Sequence, residues 1–202
     1  MSLFAHYFRL NLPAGDDFAS GVDASYVYDH PLTTMPAADR NHLGIFYPIM
    51  GHMCHLALVE VDPRTGKVAI LDYVAVHDAG TVVNPMTLAG HIRGGTAQGI
   101  GTALYEKFHY DENGQLVTGT FADYLMPTLA EMPPAIRVGH VETPSPFTEY
   151  GIKGGGEGGR MGAPGALSRA IEDALAQYGV RCDELPLTPR KVRELVRAGE
   201  KR

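Results

Sequence analysis

A chain of 202 residues with 45% hydrophobic content is long enough to bury one ordinary core or two small ones. A net charge of −6 without charged tracts argues against nucleic acid and against an anionic membrane surface as partners. His6, Arg9 and Asn11 interrupt the apolar residues of 1–12, which fits neither a secretory signal nor a membrane span, so the chain is expected to be soluble and cytoplasmic.

Residues 1–50 read as an irregular N-terminal segment. Asp16-Asp17, Ser20-Gly21, Asp29-His30-Pro31 and Met35-Pro36 are breaker signals that leave only a short strand over 24–28. So long an irregular stretch is expected to wrap on a partner surface. Residues 51–202 form the main domain. His55 to Asp62, a turn at Pro63-Arg64-Thr65-Gly66 and a longer apolar run over 67–77 predict a β-hairpin.

His52-Met53-Cys54-His55 holds ligand-type side chains. On a strand, however, His52 and Cys54 share one face and His55 takes the other, and no second ligand cluster follows. They read as strand residues, Cys54 and Cys182 as buried free thiols, and His77 and Asp78 as polar residues marking the exit into a loop.

Residues 86–105 predict a helix interrupted by Gly90, Gly94, Gly95, Gly99 and Gly101. Each interior glycine costs roughly 1 kcal/mol relative to alanine, so this many implies close approach of another helix or a ligand. His91, Arg93, Thr96 and Gln98 supply hydrogen-bonding groups among them, for a polar ligand or for one another and the backbone. A second hairpin is predicted over 106–118 around Asn113-Gly114, then an extended piece over 121–127, a strand over 135–141, and a helix over 163–178 that Gly179 ends. Thr188 and Pro189 open a last helix as N-cap and first residue. Strands and helices mix without regular βαβ alternation, so the fold class is α+β, with mixed sheets and hairpins packed against helices.

The stretch from Gly151 through Gly154-Gly155-Gly156-Glu157-Gly158-Gly159 to Pro164 places one carboxylate in a loop with few side chains. Glycines admit close backbone approach to a bulky ligand. A lone acid there is either a catalytic base or a carboxylate capping nearby amides. Gly154, Gly156 and Gly159 match a dinucleotide fingerprint, but the proline-broken segment upstream is no strand, and no Gly-Lys-Ser/Thr makes a P-loop.

Five motifs in order carry a family resemblance: Asp78-Ala79-Gly80-Thr81-Val82-Val83-Asn84-Pro85; Gly94-Gly95-Thr96-Ala97-Gln98-Gly99-Ile100-Gly101; Asp123-Tyr124-Leu125-Met126-Pro127; Gly151-Ile152-Lys153-Gly154-Gly155-Gly156-Glu157; and Leu185-Pro186-Leu187-Thr188-Pro189. From about His55 to Val196 the chain resembles the C-terminal part of the molybdopterin-binding subunit of the xanthine dehydrogenase, aldehyde oxidase and carbon monoxide dehydrogenase family; upstream the likeness is faint. The resemblance implies a molybdenum cofactor, molybdopterin or its cytosine dinucleotide. It implies Glu157 as the base that takes the proton from a metal-bound hydroxyl during oxidative hydroxylation of an aldehyde, purine or heterocycle. It implies His91, Gly94, Gly95, Thr96, Ala97, Gln98 and Gly99, with Lys153, Gly154, Gly155 and Gly156, as cofactor-binding residues. It also implies partners: the remaining part of the molybdenum subunit, an iron-sulfur subunit carrying 2Fe-2S clusters and an FAD subunit. His91 stands where the family commonly has glutamine, and Arg160 where a small residue or threonine is frequent. Burial beside substrate is expected to raise the Glu157 carboxyl towards general-base strength. The reading of another class is a non-catalytic interaction module whose glycine-rich surface docks a partner protein.

Overall fold

Strand β1, His52–Val61, alternates between exposed and half-buried residues along its whole length. A period of two is what a sheet covered on one face requires. Strand β2, Val68–Asp78, pairs antiparallel with it from Val61 opposite Val68 to His52 opposite Asp78, with a register shift between Leu58 and Val59. The turn between them is held by Asp62, whose side chain accepts from Arg64 N (2.9 Å) and Thr65 Oγ1 (2.9 Å). Gly66 follows at φ 77°, and a Cβ there would lie 1.9 Å from Pro189 O, so only glycine fits. Strand β3, Ile136–His140, runs parallel to β2 on its other edge, giving the order β1-β2-β3. As the central strand β2 buries Ile70, Tyr73 and Ala75.

Helix α1, Pro85–Leu104, starts where Asn84 Oδ1 accepts from Thr87 N (3.1 Å) with proline at the first helical position. It buries Ile92, Thr96, Gly99, Ile100 and Ala103, one stripe at helical spacing. Helix α2, Gly158–Ala174, buries Ala163, Leu167 and Ile171, and helix α3, Pro189–Gly199, buries Val192 and Val196. These side chains, with Leu175 and Leu187, join the inner residues of β2 in one hydrophobic core. Each fully buried aliphatic contributes about 1.5–3 kcal/mol relative to leaving it in water. Thr188 Oγ1 caps α3 by accepting from Lys191 N (3.3 Å), as the Thr-Pro pair predicts.

The structure, a computed structural model, describes residues 25, 27, 30–45 and 47–201. The chain divides into two compact units, Met1–Pro48 and Ile49–Arg202. In the first, Thr34 and Ile45 form an isolated antiparallel bridge, and a short 3-10 turn at Ala38–Arg40 ends at Asn41 with φ 52°. Residues 1–12, and all but Ser25 and Val27 of the strand expected over 24–28, lie outside the described residues.

Four expectations are corrected. The helix expected from Ala163 begins at Gly158, inside the glycine stretch, because packing on both sides demands glycines there and overrides their poor helix propensity. The turn at Asn113-Gly114 forms, with Asp111 Oδ1 accepting from Asn113 N and Gln115 N (2.9 Å each), but the hairpin shrinks to a single bridge between Tyr110 and Leu116. The extended piece over 121–127 is mostly turns, since no neighbouring strand offers it a ladder. Cys54 and Cys182 are free as expected, yet Cys54 lies on the outer face of β1 and is exposed.

Candidate functional site

Helices α1 and α2 cross with backbone against backbone. A Cβ on Gly99 would lie 2.6 Å from Arg160 O and 2.7 Å from Ala163 Cβ; one on Gly159 would lie 2.5 Å from Ile92 O. This approach consumes one face of the α1 glycine series. The other face stays open, and His91, Gly94 and Gln98 form a stripe along it; Gly95, at the edge of the same cleft, belongs to the crossing, its Cβ position lying 3.0 Å from Arg160 N. Across from that stripe stand Gly156, Glu157 and Arg160, and between them lies a cleft of about 490 Å³. A second cleft of about 310 Å³ shares His91 and Gly156 with the first and continues over Val82, Val83, Leu88 and Lys153.

Glu157 is the N-cap residue of α2, exposed, with no side-chain cap hydrogen bond. Of the two open readings for a lone acid, capping of nearby amides is therefore not what its carboxylate does. Its exposure also means that this chain alone does not supply the burial expected around it. Gln98 and His91 face the same cleft from α1. Thr96 is fully buried with its Oγ1 lacking a hydrogen-bond partner, Gly99 sits in the helix crossing, and neither they nor Ala97 line the two clefts. Lys153 lines the second cleft, but its ammonium is turned to Asp78 Oδ2 (2.8 Å) and Thr143 Oγ1 (2.6 Å).

That ion pair corrects the reading of Asp78 as a mere loop marker. Asp78 is 8% exposed and accepts from Gly80 N (2.8 Å), Thr143 N (3.2 Å), Thr143 Oγ1 and Lys153 Nζ. Burial opposes its charge, but the Lys153 ammonium, the Thr143 hydroxyl and the two backbone N–H groups outweigh it and hold the carboxyl well below the usual carboxylate range. The loop that leads to Glu157 is thereby clamped to the end of β2.

His77, read as a polar residue marking the exit into a loop, is likewise buried and hydrogen-bonded. His55 Nε2 lies 2.9 Å from His77 Nε2, and His55 Nδ1 lies 2.9 Å from the Tyr73 hydroxyl. Burial, and then His77, lowers the His55 pKa to about 4; burial, and then His140, lowers that of His77. The signal was present in the sequence: the period of two that turns Tyr73 and Ala75 inward turns His77 inward as well. Among the described residues no group of three or more His, Cys, Asp or Glu is placed to hold a metal ion. Nor is any described helix long and apolar enough to cross a membrane.

A family model described as the molybdopterin cofactor-binding domain matches residues 13–133. The chain belongs to that family. The match contains His91 and the glycine series of α1, ends before Lys153, and begins far upstream of His55, about where the family resemblance is expected to start. The nicotine 6-hydroxylase large subunit of Paenarthrobacter nicotinovorans is 44% identical over 145 residues, covering 72% of this chain and 18% of that protein. The carbon monoxide dehydrogenase large chain of Hydrogenophaga pseudoflava is 33% identical over 180 residues, covering 89% and 20%. The crystal structure of quinoline 2-oxidoreductase from Pseudomonas putida 86 superposes with a TM-score of 0.68 at 46% identity, covering 71% of this chain and 18% of that one. The chain thus spans about a fifth of the length of these relatives.

The cleft fits a large polar cofactor. A Cβ on Gly90, Gly94, Gly154 or Gly156 would meet nothing within 4 Å, so these glycines leave room that internal packing does not use. Arg160 Nε is buried without a hydrogen-bond partner, an unsatisfied donor on a residue of the cleft wall.

Proposed function

We propose that this molybdopterin-binding chain supplies one wall of the active site of a molybdenum hydroxylase, with Glu157 as general base. The bound cofactor would supply the two-electron oxidising centre. His91, Gly94, Gly95, Gln98 and Gly156 would hold it from this side, Gly94 and Gly156 by leaving space, Gly95 by letting α2 come close enough to form the opposite wall, and Gln98 by offering a paired amide donor and acceptor. Thr96, Ala97 and Gly99 would act behind this wall, through the helix crossing. Lys153 would keep its loop in place through Asp78, leaving the backbone of Gly154 and Gly155 to approach the ligand.

The observation that carries the reading is the carboxylate of Glu157, uncapped and open to the cleft opposite Gln98. At Oε it would accept the proton released as substrate is hydroxylated. Arg160, one turn further along α2, lines the same cleft and would offer its unsatisfied Nε as a donor to the bound cofactor. The remaining part of the molybdenum subunit would close the site and bury Glu157, and iron-sulfur and FAD subunits would carry the electrons away. Nicotine and quinoline, the compounds named in two relatives at 44% and 46% identity, support a nitrogen heteroaromatic as the substrate class.

The test is Glu157→Gln in the assembled enzyme. Turnover should fall by about 10²–10⁴-fold, the usual contribution of a general base, with molybdenum and pterin content unchanged. Near-normal turnover would remove Glu157 from the chemistry, and a complete assembly purified without molybdenum would favour a non-catalytic module.

A further inference from the structure

The residues that follow Glu157 are tightly packed. Gly158 and Gly159, next in the chain, are both buried. Gly159 is fixed from one side by the α1 backbone, with Ile92 O at 2.5 Å and Thr96 N at 3.0 Å from where its Cβ would be. Gly158 is fixed from below by an imidazole: His77 Cε1 and Nδ1 lie 2.6 and 2.7 Å from its Cβ position. One turn on, His55 Cδ2 lies 2.6 Å from the Cβ position of Gly162. The first turns of α2 therefore rest directly on two histidine rings, with no room for so much as a methyl group between.

The rings are in turn held. In the His55–His77 hydrogen bond one Nε2 donates and the other accepts. Tyr73 is fully buried, and its hydroxyl lies 2.9 Å from His55 Nδ1. With that hydroxyl as donor, the proton of His55 falls on Nε2, directed at His77 Nε2, and the proton of His77 on Nδ1, the side facing Gly158. His140, on the neighbouring strand β3, is the other titratable group facing His77. The result is a chain from the centre of the sheet to the start of the helix: Tyr73, His55, His77, Gly158, Glu157.

We propose that His77, oriented by His55 and Tyr73, is a positioning residue that seats the first turn of α2 and so places the Glu157 carboxylate in the cleft. The inference rests on Glu157 being the base, and it adds a device by which the sheet sets the base's position. A displacement of about 1 Å at a reacting group can cost on the order of 100-fold in rate, so a packing residue out of contact with substrate can control turnover.

Three variants of the assembled enzyme test it: His77→Ala, Gly158→Ala and the double substitution. His77→Ala should lower kcat by about 10–100-fold with KM and cofactor content unchanged. Gly158→Ala, which keeps both imidazoles but forces its new methyl against His77, should also lower kcat. In the double variant the new methyl occupies space vacated by the ring, and at least half of the loss on a logarithmic scale should return.

A readout independent of turnover is hydrogen exchange at Met161 N, which donates to Glu157 O (3.0 Å). It should speed up in His77→Ala while the amides of the α2 segment around Ile171 stay protected. Wild-type kcat in either single variant, additive losses in the double, or exchange accelerated equally along α2 would each overturn the proposal. A loosened first turn together with normal turnover in Glu157→Gln would uphold His77 as the seat of the turn and sink the assignment of the base.

Discussion

Replacing Lys153 with methionine keeps most of the stem and removes one ammonium group from beside Asp78. Both partners of that pair are nearly buried, the side chains being 11% and 8% exposed. Removing one partner of a buried pair costs about 3–5 kcal/mol, because the other charge stays behind uncompensated. Asp78 would retain Gly80 N, Thr143 N and Thr143 Oγ1 as donors, which places the expected loss at the lower end, about 3 kcal/mol. With a urea dependence of about 2 kcal/mol/M, the unfolding midpoint of the 202-residue chain should fall by about 1.5 M. The double variant Asp78→Asn/Lys153→Met buries no charge and should regain at least half of that. The difference also has a pH signature. A carboxyl held below its ordinary value gives stability that is present above about pH 4 and lost as pH falls through the lowered value. The gap between the parent and Lys153→Met should therefore narrow on acidification, as Asp78 takes up a proton in the variant. A midpoint within about 0.3 M of the parent, or a double variant less stable than the single, would refute the claim that this ion pair clamps the loop.

Gly99→Val would drive methyl groups into Arg160 O and Ala163 Cβ and should destabilise by more than the 1–3 kcal/mol typical of overpacking, whereas Gly90→Ala meets only open space and should stabilise by up to about 1 kcal/mol; thermal midpoints decide both. His55 and His77 stay neutral in the fold at pH values where the unfolded chain protonates them, so stability should decline as pH falls from about 6.5 towards 4. For His55 the loss is about 1–2 kcal/mol once its partial exposure is allowed for, and His55→Gln should flatten the decline between urea midpoints at pH 7 and pH 5. Thr188→Ala removes the cap of α3 and should cost about 1 kcal/mol in the same assay.

Where local chemistry decides the backbone, the sequence could be read directly. Asn84-Pro85 and Thr188-Pro189 mark helix starts because an oxygen acceptor and a preset φ act within one turn. The β1-β2 hairpin shows in its apolar strands around a Pro-Arg-Thr-Gly turn, and the last strand in its apolar alternation. The five motifs carry the family, and with it the expectation that Glu157 stands near a cofactor.

What the chain could not disclose by itself is which side of each glycine is occupied. Gly94 and Gly99 are alike in sequence, yet one lines the cleft and the other is pressed against Arg160 O. The same holds for Gly158, read as part of a ligand-approaching loop and found in the first turn of α2, where a histidine ring from β2 takes the space a side chain would need. Asp78 and Lys153 meet across 75 positions of chain, a distance over which no pattern of neighbours gives warning. Propensities and caps act over a few residues and are written in the sequence; packing of backbone on backbone, and pairing of charges from remote segments, exist only once the chain has folded.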